Sequence, residues 1–293
     1  MEKGSKIKII TKNKKEKKDS VSQGKAKKSI KKLKIGYEDS DIHDRIKRIP
    51  WIKIDKIKKS RVLVIGAGAI GNEVMKNLAL SGFNDITLID MDHVVISNLN
   101  RCLFFTFEDA KSKIYKVDAI KNHIKDMVSS INIKGITKPV EEIEEEFFNN
   151  FDIIFGCVDN ILARVRINSL ASHYQIPYVD GGTHGMVGKV QVILPPDTPC
   201  IECNLNISHY KNLEQLFTCS GRDDTKAFEP KIPAEVTTTA IIAGVMVREG
   251  LKILSDKRDN VIKHIFYYDG LTNKSDILES EISKGCSNHS KNH

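Results

Sequence analysis

The stretch RVLVIGAGAIGNEVMKNLALSGFNDITLID, residues 61–90, constrains the fold more than any other part of the chain. An apolar run, Arg61 to Ile65, reads as a buried strand. It ends in Gly66, Gly68 and Gly71, spaced as G-x-G-x-x-G. Ile70 to Leu80 then carries helical spacing, Gly82 stops it, and Ile86 to Ile89 reads as a second strand closed by Asp90. In such a strand–turn–helix unit the first glycine permits the tight turn. The second lets backbone approach a phosphate, and the third packs helix against strand. The helix N-terminus favours anionic oxygens. An acid at the end of the second strand can accept hydrogen bonds from ribose hydroxyls. The unit points to a nucleotide site; a glycine turn serving packing alone is the alternative. Taken by itself the motif favours NAD over ATP, so a dehydrogenase is one reading.

The rest of the chain continues the alternation. Residues 39–59 read as a helical arm anchored by Trp51, and residues 108–129 as a helix with Ile114, Val117, Ile120 and Ile124 on one side. Short strands are expected at 152–156, 177–180, 188–194 and 264–269, and helices at 160–174 and 237–254. The expected fold is α/β: a Rossmann-like, doubly wound, mostly parallel sheet with flanking helices. Residues 39–293 form one domain, with 204–236 its least regular stretch.

Charge separates off the N-terminus. Residues 1–35 hold fourteen lysines against three acids, whereas the remainder carries 32 basic and 35 acidic residues. Residues 1–38 are read as a disordered lysine-rich tail, with no aromatics before Tyr37 and little hydrophobic period. Solubilisation, an address signal, or weak contact with nucleic acid or an acidic partner would each account for it, and the tail alone does not make the protein nucleic-acid-binding. No run reaches the ~18 apolar residues of a membrane helix, and the charged N-terminus lacks a secretory core. A cytoplasmic chain is expected. Its six cysteines then suggest metal binding or catalysis more than disulfides.

Beyond Asp90 the sequence reads DMDHVVISNLNR (90–101), with a second acid at Asp92 and with Asn98 and Arg101 in an S-N-L-N-R run. Here the chain resembles the superfamily of ubiquitin-activating enzymes and the sulfur-carrier adenylyltransferases of thiamin and molybdopterin synthesis. Further segments match in order: YKVDA with Lys116; CVDNILARVRIN with Asp159, Asn160 and Arg164; IPYVDGGTHGMVGKVQVILPPDTPCIEC; and IPAEVTTTAIIAGVMVREGLKIL. DRIKR (44–48) resembles the family's opening R-x-x-R. One departure is Cys102, where the family commonly has Gln, read here as a packing residue.

The resemblance implies adenylation. A C-terminal carboxylate attacks the α-phosphate of ATP and pyrophosphate leaves. An ionised carboxylate needs no general base, so the task is charge neutralisation and alignment. Arg101 and Lys116 would face the triphosphate, Asp159 would hold Mg²⁺, Asp90 would take the ribose, and Asn98 would help position phosphate. Asp92 and Asn160 belong to the same expected ATP site. Arg48 would reach a phosphate across a homodimer interface. Surface pairing for Arg101, a solvated face for Lys116, helix capping for Asp159, a turn role for Asp92 and structural roles for Arg164 and Arg48 are the plain alternatives.

Cys200 and Cys203 form a C-x-x-C whose spacing suits one side of a tetrahedral zinc site. The resemblance places a second pair near the C-terminus, where the chain reads GCSNHSKNH. Cys286 and His289 keep that spacing, with His293 a competitor for the fourth position. The implied metal is structural zinc; a degenerate site without metal and a redox pair are the alternatives. Cys219, in LFTCSGRDD, falls in the interval where ubiquitin-activating enzymes carry their thioester cysteine. The implied partners are a ubiquitin-like or sulfur-carrier protein with a C-terminal glycine tail and a downstream conjugating enzyme. An enzyme stopping at the acyl-adenylate and a catalytically silent subunit are the other readings.

Overall fold

A computed structural model describes residues 41–205 and 233–289. The expectations for the lysine-rich tail, Cys219 and His293 lie outside these residues. Eight strands form one sheet in the order β3-β2-β1-β4-β5-β6-β7-β8. They are β1 (Arg61–Ile65), β2 (Asp85–Ile89), β3 (Asn132–Ile136), β4 (Ile153–Gly156), β5 (Tyr178–His184), β6 (Val187–Ile193), β7 (Ile265–Asp269) and β8 (Lys274–Leu278). From β3 to β5 every pairing is parallel, with Val62 opposite Ile86 on one side and Ile153 on the other. From β5 to β8 every pairing is antiparallel.

The helices are α1 (Asp44–Lys47), α2 (Ile54–Lys59), α3 (Ala69–Ser81), α4 (Phe107–Lys111), α5 (Lys116–Met127), α6 (Ile161–His173) and α7 (Val236–Leu254). They cover both faces of the sheet, and strand side chains alternate between two cores. Val62 and Val64 of β1 share one core with Met75 and Leu78 of α3, Ile120 of α5 and Met246 of α7. Leu63 and Ile65 join Ile167 and Leu170 of α6, Phe148 and Tyr178 in the other. This two-sided burial explains why the central strands read as unbroken apolar runs rather than alternating ones.

Two expected helices are split. The 39–59 arm breaks between Arg48 and Lys53, around Pro50, which has no amide to continue a helix. The 108–129 helix breaks at 112–115. Lys113 takes a left-handed φ of 51°, Ile114 O accepts from Val94 N (2.8 Å), and His93 bridges Tyr115. Strands β3 and β8 are not among the strands expected from the sequence. NIKGI and KSDIL have little apolar period, and sheet pairing decides their conformation.

Candidate active site

A cleft of about 380 Å³ opens at the carboxyl ends of β1, β2 and β4. Strand β1 pairs with β2 on one side and β4 on the other, so the connections diverge there, and such a switch point is where open α/β sheets bind ligands. Gly66 shapes the floor: its φ is 98°, its N–H donates to Ile89 O (2.8 Å), and a Cβ would lie 2.4 Å from Cys157 O. Gly71 lies outside the lining and packs the helix onto the turn, for a Cβ there would lie 2.0 Å from Gly66 O. Gly68 is the N-cap of α3 with no side-chain cap, and a Cβ there would meet nothing within 4 Å. The first-turn amides of α3 are thus left without a side-chain cap beside the cleft.

Asp90, Asp92, Asn98, Arg101, Lys116, Asp159 and Asn160 all line this cleft. Asp90 holds the turn as well as facing the site: its carboxylate accepts from Ala67 N (2.7 Å) and from Asp92 N (2.8 Å). Burial pushes its carboxyl above the usual range, against Lys116 and the two amides. Lys116, at the start of α5, donates to Asp92 (2.6 Å). Burial works against its charge, but the Asp90 and Asp92 carboxylates prevail and its pKa is raised, so it stays a cation. The Arg101 guanidinium rests on Ser97 O and on Asn100 Oδ1 (3.0 Å). Asn98 is buried and accepts from Val95 N (3.1 Å), closing the turn that carries Arg101. Asn160 is the N-cap of α6, its Oδ1 accepting from Ala163 N (2.7 Å), which leaves Asp159 exposed beside it. Burial raises the Cys102 thiol to about 11, in keeping with packing.

Arg164 also lines the cleft and is buried in an ion pair with Asp180, which accepts from Tyr178 Oη (2.8 Å). Its guanidinium donates to Gly181 O (3.0 Å), tying α6 to β5 beneath the site. Lys138, Thr183 and Ala234 also line the wall, and Ala234 pairs with Gly185. No sequence motif marks Lys138; it enters because β3 ends beside β2. Arg48 is outside the lining and pairs with Asp44 (2.6 Å).

Away from the cleft, Cys200, Cys203, Cys286 and His289 converge, their donor atoms all within 4.8 Å of one another. Cys200 Sγ lies 3.8 Å from Cys203 Sγ and 3.5 Å from Cys286 Sγ, and His289 Nδ1 lies 3.6 and 3.3 Å from Cys203 and Cys286. A tetrahedral zinc ion at about 2.3 Å from each thiolate separates two sulfurs by about 3.8 Å. The donor set and spacing therefore fit zinc. His289 Nε2 faces Thr198 O (3.1 Å), a partner that directs the Nδ1 lone pair at the cluster.

Among the described residues no helix is long and apolar enough to cross a membrane. The family model described as ThiF matches residues 43–288. The NEDD8-activating enzyme E1 catalytic subunit of Arabidopsis thaliana is 38% identical over 305 residues, covering 81% of this chain and 67% of that one. SUMO-activating enzyme subunit 2 of Dictyostelium discoideum is 40% identical over 154 residues, covering 51% of this chain and only 22% of that one. E. coli MccB, solved with ATP, shares the fold at 22% identity, with a TM-score of 0.65 over 80% of this chain and 68% of that one. With its glycine turn, its cleft and nearly the whole described domain inside that match, the chain belongs to the ThiF family.

Proposed function

We propose that this chain uses Mg²⁺ and ATP to activate a ubiquitin-like modifier ending in a glycine tail. The modifier's terminal carboxylate attacks the α-phosphorus, the bond from that phosphorus to the bridging oxygen breaks, and pyrophosphate leaves. The Cys219 thiolate then attacks the acyl carbon, AMP departs and a thioester forms, for a downstream conjugating enzyme to accept. The observation that carries this reading is one cleft lined by the uncapped α3 turn, Asp90, Arg101, Lys116 and Asp159. Two fixed cations facing a triphosphate supply the preorganised charge that phosphoryl chemistry requires. Asp159 is a hard oxygen donor suited to Mg²⁺, which would neutralise phosphate charge. Asp90 keeps lone pairs free for ribose hydroxyls beyond its two amide bonds.

The relatives named for NEDD8 and SUMO favour a ubiquitin-like modifier over a sulfur carrier. Residues 204–236 are assigned as the cysteine and crossover segment; Ala234, at its far end, lies in the cleft wall. Arg48 is assigned to a phosphate of the partner protomer in a homodimer, and the Cys₃His cluster to structural zinc. The described cysteines are all unpaired, as suits a reducing cytoplasm.

ATP–pyrophosphate exchange with candidate modifiers tests the first half-reaction: Arg101→Ala should lose at least about a hundredfold, and retained exchange would make Arg101 peripheral. A non-reducing gel tests the second. A thiol-sensitive adduct that disappears in Cys219→Ala supports the thioester. Exchange without an adduct in either form means the enzyme stops at the acyl-adenylate, as sulfur-carrier adenylyltransferases do.

A further inference from the structure

Asn72 belongs to no motif that the proposed function uses, yet it is wholly buried in the first turn of α3. Its Nδ2 donates to Ala67 O (3.0 Å) and Gly68 O (3.1 Å), both in the glycine turn. Its Oδ1 accepts from Phe104 N (3.0 Å), thirty-two residues along the chain. Two carbonyls at one end and an N–H at the other fix the orientation of the amide without ambiguity. Three of its four hydrogen-bonding valences are used, all on main chain, from the glycine turn and from the segment after Arg101.

The segment it grips is short and carries Arg101. Arg101 N and Cys102 N both donate to Asn98 O (3.1 and 3.0 Å), and Phe105 N donates to Cys102 O (3.3 Å), so 98–105 is one hydrogen-bonded turn. Cys102, Phe104 and Phe105 are buried in the same core as α3. In the glycine turn, Ala67, whose carbonyl Asn72 holds, donates its own N–H to Asp90. One side chain therefore joins the glycine turn, whose Ala67 N–H holds Asp90, to the turn bearing Arg101.

We propose that Asn72 is a positioning residue that holds Arg101 in register with the glycine turn. This rests on the reading of the cleft as an ATP site. Gly68 O also accepts from Asn72 N (2.9 Å), so removing the amide deprives Ala67 O and Phe104 N of their buried partner, and the Arg101 turn is then held only by its own bonds and by packing. A side chain that needs both donors and an acceptor in a planar group has no apolar substitute here.

The test compares wild type, Asn72→Ala, Arg101→Ala and the double variant, all without a carrier protein. Two readouts are used: amide hydrogen exchange over 101–106, and ATP affinity from displacement of a fluorescent ATP analogue. Asn72→Ala should speed exchange over 101–106 while leaving the middle of α7 unchanged. It should also weaken ATP about tenfold, as expected for loss of one well-placed charged contact. In the Arg101→Ala background that tenfold should shrink towards none, because both changes remove the same contact. Unchanged exchange over 101–106, or equal losses in both backgrounds, overturns the inference. A wild type that does not bind ATP overturns the nucleotide reading instead, and the exchange data alone then judge the clasp. Should the alanine variant not fold, Asn72→Ser, which keeps one hydroxyl in place, takes its part.

Discussion

Gly71 shows how much a single hydrogen in place of a methyl can determine. A Cβ there would sit 2.0 Å from the carbonyl oxygen of Gly66, a backbone atom that cannot step aside. Gly71→Ala must therefore lift α3 off the turn, and it is expected to lower the melting temperature and abolish binding of fluorescent ATP analogues together. Gly68→Ala, with open space around the added methyl, should fold normally and lose mainly nucleotide affinity. Thermal melting beside analogue titration checks the pair, and equal behaviour of the two variants would contradict this account. The residue scale is also where sequence and structure part most clearly. Gly66, Gly71 and Asp90 are legible because a local strand–turn–helix unit defines their tasks. Asn72 and Lys138 are not legible, because each acts through a chain segment distant in sequence.

Helix α7 begins on a cap with a measurable pH signature. Glu235 accepts from Thr237 N (2.7 Å) and Thr238 N (2.8 Å) and from both threonine hydroxyls. These bonds, the Thr237 and Thr238 amides first, hold its carboxyl at about 2, far below the usual glutamate value. A folded-state pKa depressed in this way stabilises the fold above the ordinary carboxylate range, and that contribution is lost as pH falls towards the folded value. Glu235→Ala should thus lower the melting temperature near neutral pH, and the gap from wild type should close between about pH 4.5 and about pH 2. A gap that persists to the acid end would mean that packing, not the charged cap, sets the helix start. This helix lies along α3 and beneath β5 and β6, so its first turn helps to place the cleft wall at Ala234.

At the scale of the whole molecule, the Cys₃His cluster joins the loop after β6 to the C-terminal segment, 86 residues apart in sequence. Metal analysis of the purified chain is expected to give about one zinc per protomer. Chelation should lower the melting temperature by several degrees, and zinc affinity should fall with decreasing pH, because the thiols must release protons to bind. A chain that melts identically with and without chelator would leave the cluster a metal-free packing motif. The proposed placement of Arg48 requires a second copy, so light scattering should give a dimer. An active monomer would remove Arg48 from the mechanism.

Local pattern was enough to establish the parallel core of the sheet, the glycine turn and the run of acids and bases along it. Those features follow from hydrophobic period and from turn chemistry that neighbouring residues impose on one another. The C-x-x-C pair and its Cys-x-x-His counterpart were also visible as spacings, and the resemblance joined them as one zinc set. Tertiary structure decided the rest. It broke the 108–129 helix at Lys113, because Val94 and His93 claim the backbone there. It made strands of NIKGI and KSDIL through their neighbours' hydrogen bonds. It also brought Arg101, Lys116 and Asp159 to one cleft and gave Asn72 two chain segments to hold. The physical reason is the range of the forces involved. Period and turn preference act over a few residues, whereas a buried amide finds its partners only after the chain has closed around it.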